Sequence, residues 1–520
     1  MLMEISKMEM KTINELIDAK MLRIQEDQDR LANQWSPLIN VVNEYLQETE
    51  GREMTLYERR NVSQCLENAL TETGLKSKRR LLFEATTEDN ISFLGVQLPV
   101  IAALLPSLVL NDLVNVQALD RRIGAVFYLD VRYGSTKGAI SAGEDMMNAK
   151  TGHDRTIAGR RYASTMVVDE AIESTGGASS ITGTLDYAPG VDVTSGTIVV
   201  KDEDGTEIGN DTVTAGTITG TNCIGTVEAD GSYSLTAVTS WDSGGITVSY
   251  EYQYDMPYNA STGDYYGVPE ADINVSQESI TAKDFPLKSK YSVGAAMDLL
   301  KAHGINLENE LVKYLGSEIR FTIDHYGIDM IDDASINGVV VAGATQTPAA
   351  AIGAWDASVG SGQQWVRTKH DILNQFEKGN NNIIAKTLRA LASWIVAGNN
   401  VARVIRQLPG FKPVANLNKT PPTGPHKIGT LDGRLVVQDP LLATRTISGS
   451  SIAGADRYIM GWKGTNYLDS AFIYAPYIPL FATPTLVTAD LFAQKGFLSS
   501  AGFKHINVGM FTYGRITNLA

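Results

Sequence analysis

The stretch Gly134-Ser135-Thr136-Lys137-Gly138 sets two hydroxyls and a lysine between glycines, the residue types that cradle a phosphate with backbone N–H groups and a cation. A phosphate loop needs Gly, four residues and then Gly-Lys-Ser/Thr. That spacing is absent, so the segment reads as a turn after a strand over 126–133. Asp324 and His325 are the types for acid–base work, but neighbouring residues on a helix diverge by about 100° and form no dyad by themselves. Asp202-Glu203-Asp204-Gly205 offers three carboxylates, as a calcium loop would. It lacks the later Glu of that pattern, and Asp-Gly is the signature of a tight hairpin. Neither Gly-x-Ser-x-Gly nor His-Glu-x-x-His occurs. Cys65 and Cys223 are far apart with no CxxC partner, and His153, His303, His325, His370, His426 and His505 are scattered without ligand spacing. The expectation is a protein with no catalytic residues, no cofactor and no metal.

Length and charge narrow the class. At 520 residues the chain must split into several structural units. Its 43% apolar content is ordinary for globular protein, and no run reaches the ~20 apolar residues of a membrane helix. The most apolar stretch, 100–110, is interrupted by Pro106 and suits a buried segment. The first ten residues carry Glu4, Lys7 and Glu9 and do not read as a signal peptide, so the chain is expected to stay in the cytoplasm where it is made. A formal charge of −15 argues against a general nucleic-acid binder. The one compact basic run, Lys76, Lys78, Arg79 and Arg80, reads as a solvated helix end.

The elements that would position these residues follow from periodicity. Ile17, Met21, Ile24, Leu31 and Trp35 recur four and three apart, predicting a coiled-coil-like helix that ends before Pro37. Thr55-Leu56-Tyr57-Glu58 is a capping box, and the helix it starts continues through Val62, Cys65, Leu66 and Leu70. Residues 1–84 are thus expected to be a charged helical arm. After Thr175 the composition changes: residues 176–256 carry twelve acidic side chains against Lys201 alone. There Ile246, Val248, Tyr250, Tyr252 and Tyr254 alternate with polar residues, and Asp204-Gly205 and Asp230-Gly231 supply hairpin turns. This predicts a small antiparallel β domain inserted in a host domain. The host resumes with a helix over 293–303 closed by Gly304, then a long helix capped by Asn306 on which Leu307, Leu311, Leu315, Ile319 and Ile323 recur every fourth residue. Beyond 381 the pattern mixes a short helix over 384–397 with strands near 434–438, 458–462 and 471–474. The class is α+β.

Residues 458–477, running from Tyr458-Ile-Met-Gly-Trp-Lys-Gly to Tyr474-Ala475-Pro476-Tyr477, resemble the closing segment of T-even-like major capsid proteins, as do Thr483-Pro484-Thr485, Lys495-Gly496-Phe497 and Tyr513-Gly514. Asp272-Ile-Asn-Val, Lys288-Ser-Lys-Tyr-Ser292, Asp298-Leu-Leu-Lys-Ala-His-Gly304 and Glu310-Leu311 are similar to the return limb of that family's extended loop. Asn382-Ile-Ile-Ala-Lys386 resembles a strand before a helix of its apical domain. The resemblance implies a Hong Kong 97-type capsid fold: helical arm over 1–84, start of the shell domain over 85–125, extended loop over 126–291 containing the β insertion at 176–256, peripheral domain with spine helix over 292–380, and axial domain with closing peripheral strands over 381–520. The insertion looks unlike that family's usual one.

What the resemblance implies for function is a major capsid protein that self-assembles, as hexameric and pentameric capsomers, into an icosahedral head shell around phage DNA. Its location would be the virion capsid, assembled in the host cytoplasm. A scaffold or head protease, a portal and accessory capsid proteins would be partners, packaged DNA only by non-specific proximity, and no membrane. The alternatives are a paralogous vertex protein forming pentamers, an encapsulin-type compartment shell, and a glycan-binding surface protein. T-even-like head proteases cut after Glu in Ile/Leu-x-Glu. This triplet ends at Glu4, Glu15, Glu26, Glu48, Glu58, Glu72 and Glu84, seven of the twelve Glu up to that point and none thereafter. Glu84 and Ala85 are the candidate scissile pair, and amphipathic helices rich in Leu, Ile and Glu produce the same triplets. Tyr474, Ala475, Pro476 and Tyr477 are expected near a subunit boundary, because two aromatics around a rigid proline give large contact area at low entropic cost, and an ordinary core strand would use the same residues.

Overall fold

Trp394-Ile395-Val396-Ala397 is a strand with all four side chains buried. Alternate residues of a strand face opposite sides, so such a run needs cover on both. The computed structural model describes residues 28–49, 53–72, 108–144, 146, 161–173, 180–187, 191–202, 204–238, 245–252, 258–259, 264–265, 269–304, 307–341, 344–356, 365–387, 390–414, 424–444, 457–464, 469–483, 485–487, 490 and 492–517. Two compact units emerge: Met1–Tyr128 with Gln277–Ile384 and Ala390–Ala520, and Leu129–Ser276 with Ala385–Arg389. Both helices and strands build the chain, in an α+β arrangement.

In the first unit Trp394–Ala397 lies at the middle of a seven-stranded sheet. The order is Gly353–Asp356, Phe511–Thr517, Arg457–Gly461, Trp394–Ala397, Arg434–Gln438, His426–Leu431 and Phe411–Pro413. Trp394 and Val396 join one apolar core with Ile319, Ile323, Ile328 and Ile331 of the helix Leu307–Asn337. Ile395 and Ala397 join a second core with Ile372, Phe376 and Ile383 of the helix Trp365–Thr387. The expected helix over 384–397 is therefore corrected: a short, wholly apolar run has no readable period, and here it is a strand. Asn382 to Lys386, expected as a strand, belong to the last turns of Trp365–Thr387.

A second sheet in this unit runs Asn115–Val116, Phe472–Ala482, Phe492–His505, Lys283–Ser292, with Leu486–Val487 also pairing on Phe492–His505. Lys283–Ser292 leads directly into the helix Val293–His303, whose N-cap Ser292 accepts from the Ala295 N–H at 3.2 Å. Gly304 closes that helix at φ 65°, left-handed backbone that glycine adopts without strain. Leu307–Asn337 follows, 31 residues long. Asn306, the expected cap, lies outside the described residues.

The described part of the expected arm, residues 28–49 and 53–72, is helical and packs into the core. Residues 28–34 are helical, the chain turns at Trp35, and a new helix Ser36–Thr49 starts, with Pro37 in its first turn where no N–H is needed for an intrahelical bond. At the next helix, Leu56–Glu72, the Thr55 N–H donates to Glu58 at 2.8 Å and the Glu58 N–H donates to Thr55 Oγ1 at 3.2 Å, the capping box read from sequence. Trp35, Ile39, Leu46, Val62, Leu66 and Leu70 are buried in the same core as Ile323 and Tyr474. Residues 1–27 and 73–107, with the basic run and Glu84-Ala85, lie outside the described residues.

The second unit holds a nine-stranded sheet ordered Met166–Glu173, Ile246–Tyr252, Val199–Lys201, Glu207–Thr214, Thr217–Thr219, Cys223–Val227, Ser232–Ala237, Ser180–Thr184, with Val191–Asp192 pairing on Ile246–Tyr252. Every pairing in it is antiparallel. Ile246, Val248, Tyr250 and Tyr252 are buried, as their alternation predicts. Gly205 and Gly231 take φ of 75° and 84° at the two Asp-Gly turns. The sheet begins before the change in composition: Met166–Glu173 pairs with Ile246–Tyr252, Val167 opposite Tyr250, yet its residues look like those of the preceding segment.

The helix Leu56–Glu72 separates two leucines cleanly, Leu66 at 0% exposure and Leu56 at 61%. Leu66→Ala is expected to cost about 2–5 kcal/mol and Leu56→Ala no more than about 0.5 kcal/mol. Urea unfolding of both variants checks this; equal midpoints would mean that the helix does not pack in the core.

Candidate functional site

The phosphate-loop lookalike turns its lysine inward. Lys137 is 3% exposed, and its Nζ donates to the carbonyls of Tyr162, at 3.1 Å, and Ser164. It also lies 5.0 Å from the centre of the Tyr252 ring. Burial pulls its pKa down to about 8. The loop's own N–H groups are engaged as well: Ser135 donates to Tyr162 Oη, Lys137 to the Ile140 carbonyl and Ala139 to the Val168 carbonyl. Gly138 sits at φ 59° with the Val168 carbonyl so near that a Cβ would meet it at 2.2 Å. This is an anchored turn.

Asp324 and His325 separate as helix geometry dictates. Asp324 is fully buried and accepts from the Leu110 N–H at 3.0 Å and the Val109 N–H at 3.3 Å. Its carboxylate thereby receives two otherwise unsatisfied N–H groups at the start of the turn Leu110–Leu113. His325 instead stacks on Phe321, with Nε2 3.6 Å from Asp329 and Nδ1 3.6 Å from Asp439. Two turns along, Asp332 meets Arg457 of the seven-stranded sheet at 2.5 Å, both side chains at 0% exposure. Burial pushes the Asp332 carboxyl up to about 7, with the Arg457 guanidinium opposing and Asp439 adding to the rise. Sequence spacing gave no hint of this pairing, since 125 residues separate the partners.

Both cysteines and His505 are also inward. Cys65 and Cys223 are buried free thiols, and burial raises both, Cys223 to about 11. His505 is held down to about 4 by burial. Among the described residues no group of three His, Cys, Asp or Glu converges to hold a metal ion, and no helix is long and apolar enough to cross a membrane.

Tyr474, Ala475, Pro476 and Tyr477 are likewise buried against their own chain, in the strand Phe472–Ala482. Gln117 and Leu119 donate N–H bonds to the carbonyls of Tyr474 and Pro476, both at 2.9 Å. Their burial, with Tyr477 still 8% exposed, is that of a core strand, one of the two placements their residue types allow. Glu84 and Ala85 lie outside the described residues.

What the first unit does expose is apolar area. The helix Val293–His303 has no buried residue, and Met297 and Leu300 are 58% and 56% exposed. Val293, Ala296, Met297 and Leu300 fall at i, i+3, i+4 and i+7, one stripe of a helix. That spacing was readable in the sequence, and its exposure was not.

The family model described as major capsid protein Gp23 matches residues 92–509. The chain belongs to the Gp23 major capsid protein family. Vibrio phage KVP40 has a major capsid protein 26% identical to it over 274 residues, 51% of this chain and 49% of that one. For the major capsid protein of Enterobacteria phage T4 the identity is 28% over 256 residues, 48% of this chain and 45% of the other. The chain thus matches over about half the length of these curated relatives. Among solved structures, the mature capsid of bacteriophage PhiM1 is similar at 9% identity with a TM-score of 0.32, over 51% of this chain and 80% of that one.

Burial pushes the Asp324 carboxyl up to about 7, against the two backbone N–H donors and Arg320. Because the folded value lies above the unfolded one, this carboxyl's stabilisation is fully present below about pH 4 and is lost as pH rises through 7. Asp324→Asn keeps an oxygen for the Leu110 N–H and removes the ionisation. The fall in urea midpoint between about pH 5 and about pH 7.5 should be smaller in the variant than in the parent chain. An identical fall in both would show that Asp324 does not titrate in that window.

Proposed function

We propose that this chain is a major capsid protein that self-assembles into the icosahedral head shell of a tailed phage, as hexameric and pentameric capsomers around DNA. The observation that carries this reading is the Gp23 family match across residues 92–509. A shell subunit needs extended surfaces for copies of itself, because repeated contacts must close into rings and a lattice. The inward-turned Lys137, Asp324 and Cys65 and the outward stripe of Met297 and Leu300 support that division of labour.

In the Hong Kong 97-type order, Leu307–Asn337 is the spine helix, the seven-stranded sheet and Trp365–Thr387 form the axial domain, and Lys283–Ser292 is the return of the extended loop. The nine-stranded β unit is a domain inserted in that loop, projecting from the shell exterior. Glu84–Ala85 is the bond that a head protease cuts. A scaffold, a portal and accessory capsid proteins complete the partners, and assembly takes place in the host cytoplasm.

Electron microscopy of the purified protein under assembly conditions should show icosahedral shells, and soluble monomers at every concentration would overturn the reading. Met297→Asp with Leu300→Asp should leave folded subunits that no longer form shells, since two desolvated carboxylates destroy an apolar contact without touching the core. For the insertion, a fragment of residues 161–256 should give a β-type circular dichroism spectrum and a cooperative melt. Residues 176–256 alone, lacking the edge strand Met166–Glu173, should melt lower. A disordered spectrum from the longer fragment would refute autonomous folding.

A further inference from the structure

At one point the strand Met166–Glu173 is buried on both faces. Val167 enters the core of the nine-stranded sheet, and its neighbour Val168 enters a separate apolar cluster with Tyr133, Ile140 and Tyr162. The register with Ile246–Tyr252 slips at the same place: Val248 lies opposite Glu170 and Tyr250 opposite Val167, so Val168 and Asp169 share the position facing Ser249. This is a β-bulge, which bends a strand and re-aims its groups. Asp169 takes the left-handed backbone it needs, φ 54°, with its N–H on Ser249 Oγ at 3.0 Å and Lys201 Nζ on its carboxylate at 2.8 Å. The Val168 carbonyl then accepts the Ala139 N–H at 3.0 Å.

What reaches the bulge is the turn 134–140, and it is gripped from several sides. Lys137 Nζ donates to the carbonyls of Tyr162 and Ser164, in the segment leading into Met166–Glu173. The Tyr252 ring beneath that ammonium stacks on Tyr187, ring centres 5.0 Å apart, and Tyr187 Oη donates to the Thr136 carbonyl at 3.0 Å. On its far side the turn meets the returning limb: the Gly134 N–H donates to the Glu270 carbonyl at 2.7 Å, and Tyr162 Oη donates to the same carbonyl at 2.9 Å. Among the described residues, none of 134–140 belongs to the sheet core, which Ile181, Val200, Leu235 and Tyr250 help to close. The turn therefore braces the sheet from outside. A domain joined to its carrier only by chain passages is free to swing, and a packed contact across the junction removes that freedom.

We propose that the turn 134–140 is a rigid joint that holds the nine-stranded sheet at a fixed angle on the limb formed by residues 129–133 and 269–276, and that Lys137 is its lock. A lysine suits the place: its stem lies among aromatic rings, and its ammonium carries several donors, enough to hold two carbonyls at once. An apolar side chain of the same length would fill the space and bind neither carbonyl. The bulge at Val168 and Asp169 is the matching half of the joint, since it presents the carbonyl that Ala139 takes. This device lies within one compact unit and asks nothing of other copies of the chain.

The test uses the full chain with spin labels at Val213→Cys on the sheet and Val275→Cys on the limb, positions 77% and 47% exposed in the same unit. Cys65 and Cys223 are buried, and the chain without added cysteines is the labelling blank. Pulsed electron paramagnetic resonance should give one narrow distance distribution for the labelled chain. Lys137→Met, which keeps an apolar stem and removes the ammonium, should widen it severalfold while the amides of Ile246–Tyr252 stay protected from hydrogen exchange. Tyr187→Phe, which loses only the bond to the Thr136 carbonyl, should widen it less. A broad distribution before any change at the joint, or one that Lys137→Met leaves narrow, overturns the proposal. Loss of protection in Ile246–Tyr252 of Lys137→Met overturns it too, because the lysine would then hold the sheet together and not its angle.

Discussion

A strand with no solvent side sets the terms for the larger unit of this protein. Trp394–Ala397 buries Trp394 and Val396 on one face and Ile395 and Ala397 on the other. Each face must be closed by a separate layer, and the chain provides Leu307–Asn337 for one and Trp365–Thr387 for the other. The Arg457–Asp332 pair, fully buried, ties the first of these helices to the neighbouring strand Arg457–Gly461. Breaking such a pair from one side leaves an uncompensated charge in the core, so it fixes how helix and sheet meet more than it adds to stability.

In both units the groups that resemble reactive chemistry are turned inward. Asp324 receives backbone N–H groups, Lys137 donates to backbone carbonyls, and Cys65 and Cys223 fill apolar space. The polar side chains in these positions satisfy main-chain groups that would otherwise be stranded away from water. On the outer surface the helix Val293–His303 presents Met297 and Leu300 to solvent, apolar area of the kind that marks contact sites.

The N-terminal segment shows how burial can overrule a composition. Residues 28–72 belong to a segment that reads as a charged helical arm, and one face of each helix carries enough Leu, Ile and Val to enter the main core, while Asn61 and Asn68 use their amides to bond strand backbone. Its charges are not all left to solvent: Glu67 is buried, and Arg60 pairs with Asp29 at 2.6 Å.

Short-range chemistry was legible in the sequence. The Thr55–Glu58 capping box, the left-handed Gly304 closing Val293–His303, the Asp-Gly turns of the β unit and the alternation of Ile246 to Tyr252 all appear where their residue types require them, because each depends on contacts within about four residues or on one backbone conformation. The family resemblance was legible for a similar reason, as a string of residues in order. Tertiary structure alone decided that Trp394–Ala397 is a strand, that Pro37 begins a helix, that Lys137 points inward, that Tyr474 to Tyr477 are core and that Met297 faces out. Each of these is a question of what arrives from a distant part of the chain to cover a surface, and hydrophobic burial is non-directional, so local pattern carries no record of which partner that will be.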